Sequence, residues 1–180
     1  MTKQRLPGDL SPQAEVERMI RVDQAGEYGA KRIYQGQLAV LRGRASEPSI
    51  RHMAEQEQRH LDAFDRLMTT RRVRPTLLGP IWHAAGFALG AATALLGEKA
   101  AMACTEAVEE VIDEHYAAQT QALEGRDAEL GAAIAEAHAD EIEHRDAARA
   151  AGAAEAPAYP VLKEVIKRAS RTAIWLSERV

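Results

Sequence analysis

Apolar residues recur along most of this chain at the three- and four-residue intervals of a helix buried on one side. The C-terminal stretch shows the pattern well. Val161, Leu162, Val165, Ile166, Ala169, Ala173 and Leu176 follow a helical period, with Lys163, Lys167, Arg168 and Arg171 largely outside the stripe. Chain breakers divide the rest. Ser11-Pro12 reads as an N-cap followed by proline at the first helical position, opening a helix to about Gly43. A second helix spans about 48–70 and is ended by Arg74-Pro75. Further helices are predicted over 80–97, 99–123, 127–150 and 160–178, separated at Gly97, Gly125 and Gly152. Alanine is abundant, aromatics are few and β-branched runs are scarce, so the expected class is all-α. One domain over 1–180 is expected, with a flexible N-terminus (1–11) and a last amphipathic helix within 157–180.

A chemical phrase occurs twice on this helical frame. Glu27 precedes Glu57-x-x-His60, and Glu109 precedes Glu141-x-x-His144. With Gly43 and Gly125 as the tips of two helical hairpins, each lone Glu lies sixteen residues before its tip. The two Glu-x-x-His pairs begin fourteen and sixteen residues after theirs. At a rise of ~1.5 Å per residue, all six groups reach a common level roughly 24 Å from the tips. A Glu from each of two helices and Glu-x-x-His from each of two others is the two-metal arrangement of ferritin-like bundles. The expected architecture is therefore a ferritin-like four-helix bundle with one long crossover containing an apolar helix, plus the C-terminal amphipathic helix.

The residue types narrow the chemistry. Carboxylate and imidazole suit iron or manganese, and four carboxylates balance two divalent ions, which makes burial tolerable. Cys104 is the only cysteine, so neither an intramolecular disulfide nor a cysteine-based cluster can form. Tyr116 lies one heptad after Glu109 with His115 beside it, and the pair is a candidate for redox or proton roles; a core aromatic is the plainer reading. Glu106, one turn before Glu109, is a candidate for supporting the site. Asp140, one turn before His144, is placed to orient that imidazole. The reversed pairs His52-x-x-Glu55 and His138-x-x-Glu141 blur the register. A net charge of −4 with interspersed signs is no footprint for nucleic acid, although Arg71, Arg72 and Arg74 cluster.

Residues 75–97 carry no Asp, Glu, Lys or Arg. Prolines and glycines interrupt them, so a buried crossover helix or a segment dipping into one leaflet is expected rather than a membrane span. Trp82, Phe87, Leu89, Leu95 and Leu96 are the residues expected to face membrane or an apolar substrate. The arginine cluster and the basic last helix are expected to meet anionic headgroups.

Three strings make the chain resemble a known family: RVDQAGEYGAKRIYQGQ over 21–37, RVRPTLLGPIWHAAGFALGAATALLGEKAAMACTEAVEE over 72–110, and LSERV over 176–180. It resembles the demethoxyubiquinone hydroxylases of ubiquinone biosynthesis, from Arg21 to the C-terminus. The resemblance implies a monooxygenase that hydroxylates the demethoxyubiquinol ring with two irons and O₂. By motif match its iron ligands are Glu27, Glu57, His60, Glu109, Glu141 and His144. It also implies membrane association, a lipid-binding accessory protein, a ubiquinone-biosynthesis complex and NADH or another reductant. The chain has no Gly-rich dinucleotide fingerprint. The short N-terminus is expected of a bacterial protein held peripherally on the cytosolic face of the cytoplasmic membrane. The residues alone leave open a manganese catalase, a peroxidase, an iron-handling protein or a non-catalytic membrane-associated bundle.

Overall fold

The computed structural model describes residues 8–180. Of the expected flexible N-terminus, 1–7 lie outside the described residues. Six α-helices follow in order: α1 Pro12–Val40, α2 Glu47–Arg71, α3 Gly79–Leu95, α4 Glu98–Leu123, α5 Ala128–Ala150 and α6 Tyr159–Ser177. A short 3₁₀ turn, Ala153–Glu155, precedes α6. Among the described residues there is no strand. The expected helix ends fall within three residues of the observed ones. The largest miss is α1, which stops at Val40 because Leu41 closes it onto the Gln37 carbonyl and Gly43 turns the chain at φ +75°.

Local chemistry starts two of these helices. The Ser11 hydroxyl accepts from the Ala14 N–H at 3.1 Å, with Pro12 following at the first helical position. Asp127 caps α5 by accepting from the Leu130 N–H at 3.0 Å. Arg71 at the end of α2 grips the same Asp127 and also Glu129, so it ties the hairpins together and is not offered to headgroups.

Helices α1 and α2 form one hairpin, α4 and α5 the other, and the two meet along α2–α5. The crossover helix α3 lies along α1 and also reaches α4. Helix α6 lies on α4 and brushes α1. The buried side chains gather above and below a polar level. Tyr34, Ile50 and Met53 belong to the layer at one end; Met19, Ile20, Phe64, Tyr116, Leu130 and Ile134 form the layer at the other. That polar level is where the functional residues lie.

The α6–α4 seam is electrostatic. Glu106, Glu110 and Glu114 stand one turn apart on α4 and meet Lys163, Lys167 and Arg171, one turn apart on α6. Arg149 of α5 joins Glu106 and Glu110. Two sequence expectations are corrected here. Glu106 is held by Arg149, Lys163 and Tyr159 and does not support the metal-ligand cluster. Lys163, Lys167 and Arg171 are turned inward onto α4, because a partly buried acidic row binds them more strongly than solvent does, while Arg168 stays exposed and pairs with Glu164 of its own helix. The face α6 leaves outside carries Val161, Val165 and Trp175, all more than half exposed, interspersed with the Glu164–Arg168 pair.

Candidate metal centre

All six predicted ligands converge and are buried, none more than 3% exposed. Their donor atoms form two overlapping quartets, each with atoms within 4.8 Å of one another. One quartet is Glu27, Glu57, His60 and Glu141; the other is Glu57, Glu109, Glu141 and His144. Glu57 and Glu141 are common to both, so they stand where bridging ligands would. Glu27 with His60, and Glu109 with His144, occupy the outer ends.

Both imidazoles point the same way. His60 Nδ1 lies 3.3 Å from Glu27 Oε2 and 3.5 Å from Glu141 Oε1. His144 Nδ1 lies 3.0 Å from Glu141 Oε2 and 3.5 Å from Glu57 Oε1. The outward Nε2 atoms are each held from the opposite hairpin: His60 by Asp140 Oδ2 at 3.0 Å, His144 by Gln56 Oε1 at 3.1 Å. Asp140 was expected to orient His144 on its own helix. It orients His60 instead, because His144 turns its Nε2 toward α2. The outer carboxylates are likewise held across the bundle. Tyr34 Oη donates to Glu109 Oε1 at 2.8 Å, and Tyr116 Oη donates to Glu27 Oε1. The sequence reading missed Tyr34, although it follows Glu27 by the same heptad that separates Tyr116 from Glu109.

The electrostatics fit a pair of cations. Burial, with Glu141, Glu27 and Glu109 close by, pushes the Glu57 carboxyl well above the usual range. Burial and Glu141 do the same to Glu109, against the hydrogen bond from Tyr34. Burial opposes ionisation of Glu141 too, yet His144 and His60 bring it down to about 2. Burial would depress His60, but Glu141 and Glu27 raise it to about 10. Glu57 Oε1 and Oε2, Glu27 Oε2, Glu109 Oε2 and His60 Nδ1 are buried and have no hydrogen-bond partner. Orphaned acceptors crowded in this way are costly unless something positive sits among them. Four carboxylates and two divalent ions cancel.

A narrow crevice of about 20 Å³ reaches this cluster between α1, α4 and α6, lined by Asp23, Glu27, Glu109, His115, Tyr116 and Ile174 among others. It adjoins an apolar cavity of about 170 Å³ that shares Val22, Gly26, Ala30, Ile112 and Ile174 and adds Trp82, Leu89 and Ala173. Of the apolar residues singled out in the sequence, Trp82 and Leu89 line this cavity. Phe87 does not, since its ring packs under the Arg32 guanidinium at 5.0 Å. Leu95 and Leu96 lie exposed on the surface and do not line the cavity. His115 reaches Asp23 at 3.1 Å, and Gln119 donates to the same carboxylate oxygen at 2.7 Å. Burial raises Asp23 above its ordinary value despite these partners.

A bundle of four core helices with two carboxylate-rich quartets sharing two glutamates is the ferritin-like, two-metal class. Within that class the chain belongs to a single family. The sequence profile of the ubiquinone biosynthesis protein COQ7 family matches residues 14–177. A 3-demethoxyubiquinol 3-hydroxylase of Rhodospirillum rubrum is 59% identical over 177 residues, covering 98% of this chain and 84% of that protein. The human mitochondrial NADPH-dependent 3-demethoxyubiquinone 3-hydroxylase is 52% identical over 176 residues, 96% of this chain and 81% of its own. The mitochondrial 5-demethoxyubiquinone hydroxylase of Saccharomyces cerevisiae is 44% identical over 184 residues, covering 93% and 79%.

Proposed function

We propose that this chain is a di-iron monooxygenase that hydroxylates the ring of demethoxyubiquinol in ubiquinone biosynthesis, using O₂ and an external reductant. The observation that carries this is the pair of quartets sharing Glu57 and Glu141, in a chain of this family. Glu27, Glu57, His60, Glu109, Glu141 and His144 would hold the two irons, which when bound supply the electrons and open positions that activate O₂. The protein's own part is positional. Tyr34 and Tyr116 keep their protons, since burial and the neighbouring carboxylates raise both well above the usual phenol value. They therefore hold Glu109 and Glu27 as hydrogen-bond donors. The apolar cavity takes the ring and the start of its prenyl tail and keeps water away from the centre.

The crevice is too small for a quinol ring, so entry requires α6 to give way along the wall it shares with α1. Helix α6 fully buries only Ile166 and Ser177 and is otherwise held by its ion pairs to α4, so its edge along α1 is the side free to open. Gly26 faces both cavities, and a Cβ built there meets nothing within 4 Å. Gly26→Leu is expected to fill the entry with no loss of fold, because it also replaces a mid-helix glycine. With Fe(II)-loaded protein, O₂ and a short-tailed demethoxyubiquinol, wild type gives the hydroxylated quinol with one ¹⁸O atom from labelled O₂. Gly26→Leu lowers kcat/KM by at least about 100-fold, as a misplaced substrate does, at unchanged iron content. Wild type that holds two irons and forms no hydroxylated quinol overturns the function.

No helix among the described residues is long and apolar enough to cross a membrane. Leu77, Ile81 and Leu95 around α3 and Val161, Val165 and Trp175 on α6 are exposed. Apolar residues grouped this way on the two outer helices favour peripheral seating on a bilayer. Leu77→Asp with Val165→Asp is expected to lower the fraction that floats with phospholipid vesicles several-fold, while leaving hydroxylation of a detergent-solubilised substrate intact. Flotation equal to wild type would place the membrane face elsewhere.

A further inference from the structure

The two halves of the site repeat each other at the residues that build it, and two departures from the repeat each put an extra carboxylate at the Glu27–His60 end. On α1 and α4, Glu27 matches Glu109, Tyr34 matches Tyr116 and Gln37 matches Gln119 at the same spacings. On α2 and α5, Glu57 matches Glu141 and His60 matches His144. The residue before each shared glutamate reaches across the bundle to the other hairpin's imidazole. Here the repeat breaks. Behind His60 stands the carboxylate of Asp140; behind His144 stands the neutral amide of Gln56. A second break is in the same direction. Asp23 lies one turn before Glu27, where the other half has Thr105 one turn before Glu109. Asp23 is 2% exposed, with Oδ2 unpartnered.

We propose that the two metal subsites are unequal by construction, and that Asp140 makes the Glu27–His60 subsite the tighter one. This rests on the metal-centre reading above. An imidazole whose far N–H donates to a carboxylate is a stronger donor toward a metal than one donating to an amide oxygen. Asp140 is a positioning residue. It touches the metal only through His60, and it is 23% exposed with Arg59 at 3.5 Å. Arg59 is itself 56% exposed, so solvent weakens its pull on that carboxylate. Gln56 is buried, accepts from His144 through Oε1 and carries no charge. At limiting metal the chain then holds one ion at Glu27–His60, and hydroxylation follows only the second equivalent.

The test is anaerobic calorimetric titration of metal-free, full-length protein with Fe(II). Wild type is expected to bind two equivalents in two resolved steps. Glu27→Ala should leave only a weak step, and Glu109→Ala only a tight one. Asp140→Asn keeps the shape and the hydrogen bond but not the charge. It should weaken the tight step by about 10- to 100-fold, the usual consequence of losing such a partner, and leave the weak step in place. Gln56→Glu should tighten the weak step, a gain that misfolding cannot produce. Two equivalents of equal affinity in wild type would overturn the inequality. Asp140→Asn that moves both steps alike, or neither, would overturn the role of Asp140. In both cases the metal centre itself stands. Wild type that takes up no Fe(II) removes the metal-centre reading and this one with it.

Discussion

Glu57→Ala is expected to empty both halves of the centre at once, whereas Glu27→Ala should spare the Glu109–His144 half. The asymmetry follows from the quartets, since Glu57 offers an oxygen to each and Glu27 to one. Iron content should fall from about two per chain to near zero, and hydroxylation by at least about 10³-fold, the equivalent of several kcal/mol of lost transition-state stabilisation. Stability should move the other way. In the metal-free chain burial and the neighbouring acids push Glu57 and Glu109 well above the ordinary carboxylate range. The folded state then binds more protons than the unfolded one, so these groups favour folding at acid pH. That contribution is lost as pH rises above the ordinary carboxylate range. Removing Glu57 removes one such group, so near neutrality the metal-free variant should melt no lower than metal-free wild type. Ligation also needs protons gone from Glu57, Glu109 and His60, so in wild type metal affinity should climb with pH. Iron analysis, turnover and thermal melts with and without Fe(II) check each part. A Glu57→Ala protein that keeps two irons would show that the shared position is wrong.

The sequence made the cluster legible because ligand spacing and helix rise are both regular. Two hairpins with matching arms must bring matching residues to one level, whatever the rest of the packing does. Partners across the bundle were harder to read. Asp140 sits one turn from His144, and a rule for neighbours on one helix pairs them, yet side-chain rotation sends each outward nitrogen to the opposite hairpin. Tyr34 follows Glu27 at the same heptad spacing that ties Tyr116 to Glu109, so the repeat itself carries its signal. Glu106, one turn before Glu109, suggests support for the site in sequence, and nothing there shows that it belongs to a row with Glu110 and Glu114. Only the placement of α6 shows that Lys163, Lys167 and Arg171 cover it. The small residues of α3 argue against a membrane span, but their spacing alone does not say which helix they approach.

That approach sets the second large expectation, a collapse of the α1–α3 contact on adding a single methyl. A Cβ at Gly90 would lie 1.9 Å from the Ile33 carbonyl oxygen, and one at Gly36 would lie 2.2 Å from that of Phe87. Both obstacles are backbone, which cannot rotate aside, so α3 must lift off α1. Gly90→Ala gains about 1 kcal/mol of helix propensity. The forced separation should outweigh this and leave the protein some 2–3 kcal/mol less stable. At about 2–4 °C per kcal/mol for a chain of this size, melting should fall by roughly 5–10 °C. Gly131→Ala on α5 is the internal control, because a Cβ there meets nothing within 4 Å and only the propensity gain remains. It should melt slightly above wild type. The two variants separate scaffold from cavity as well. The six ligands are on α1, α2, α4 and α5, while Trp82 and Leu89 of α3 form the cavity wall. Below its melting point Gly90→Ala should therefore still take up two metals but turn over the quinol poorly, mainly through a raised KM. Melting unchanged from wild type would mean that the two helices do not pack backbone to backbone.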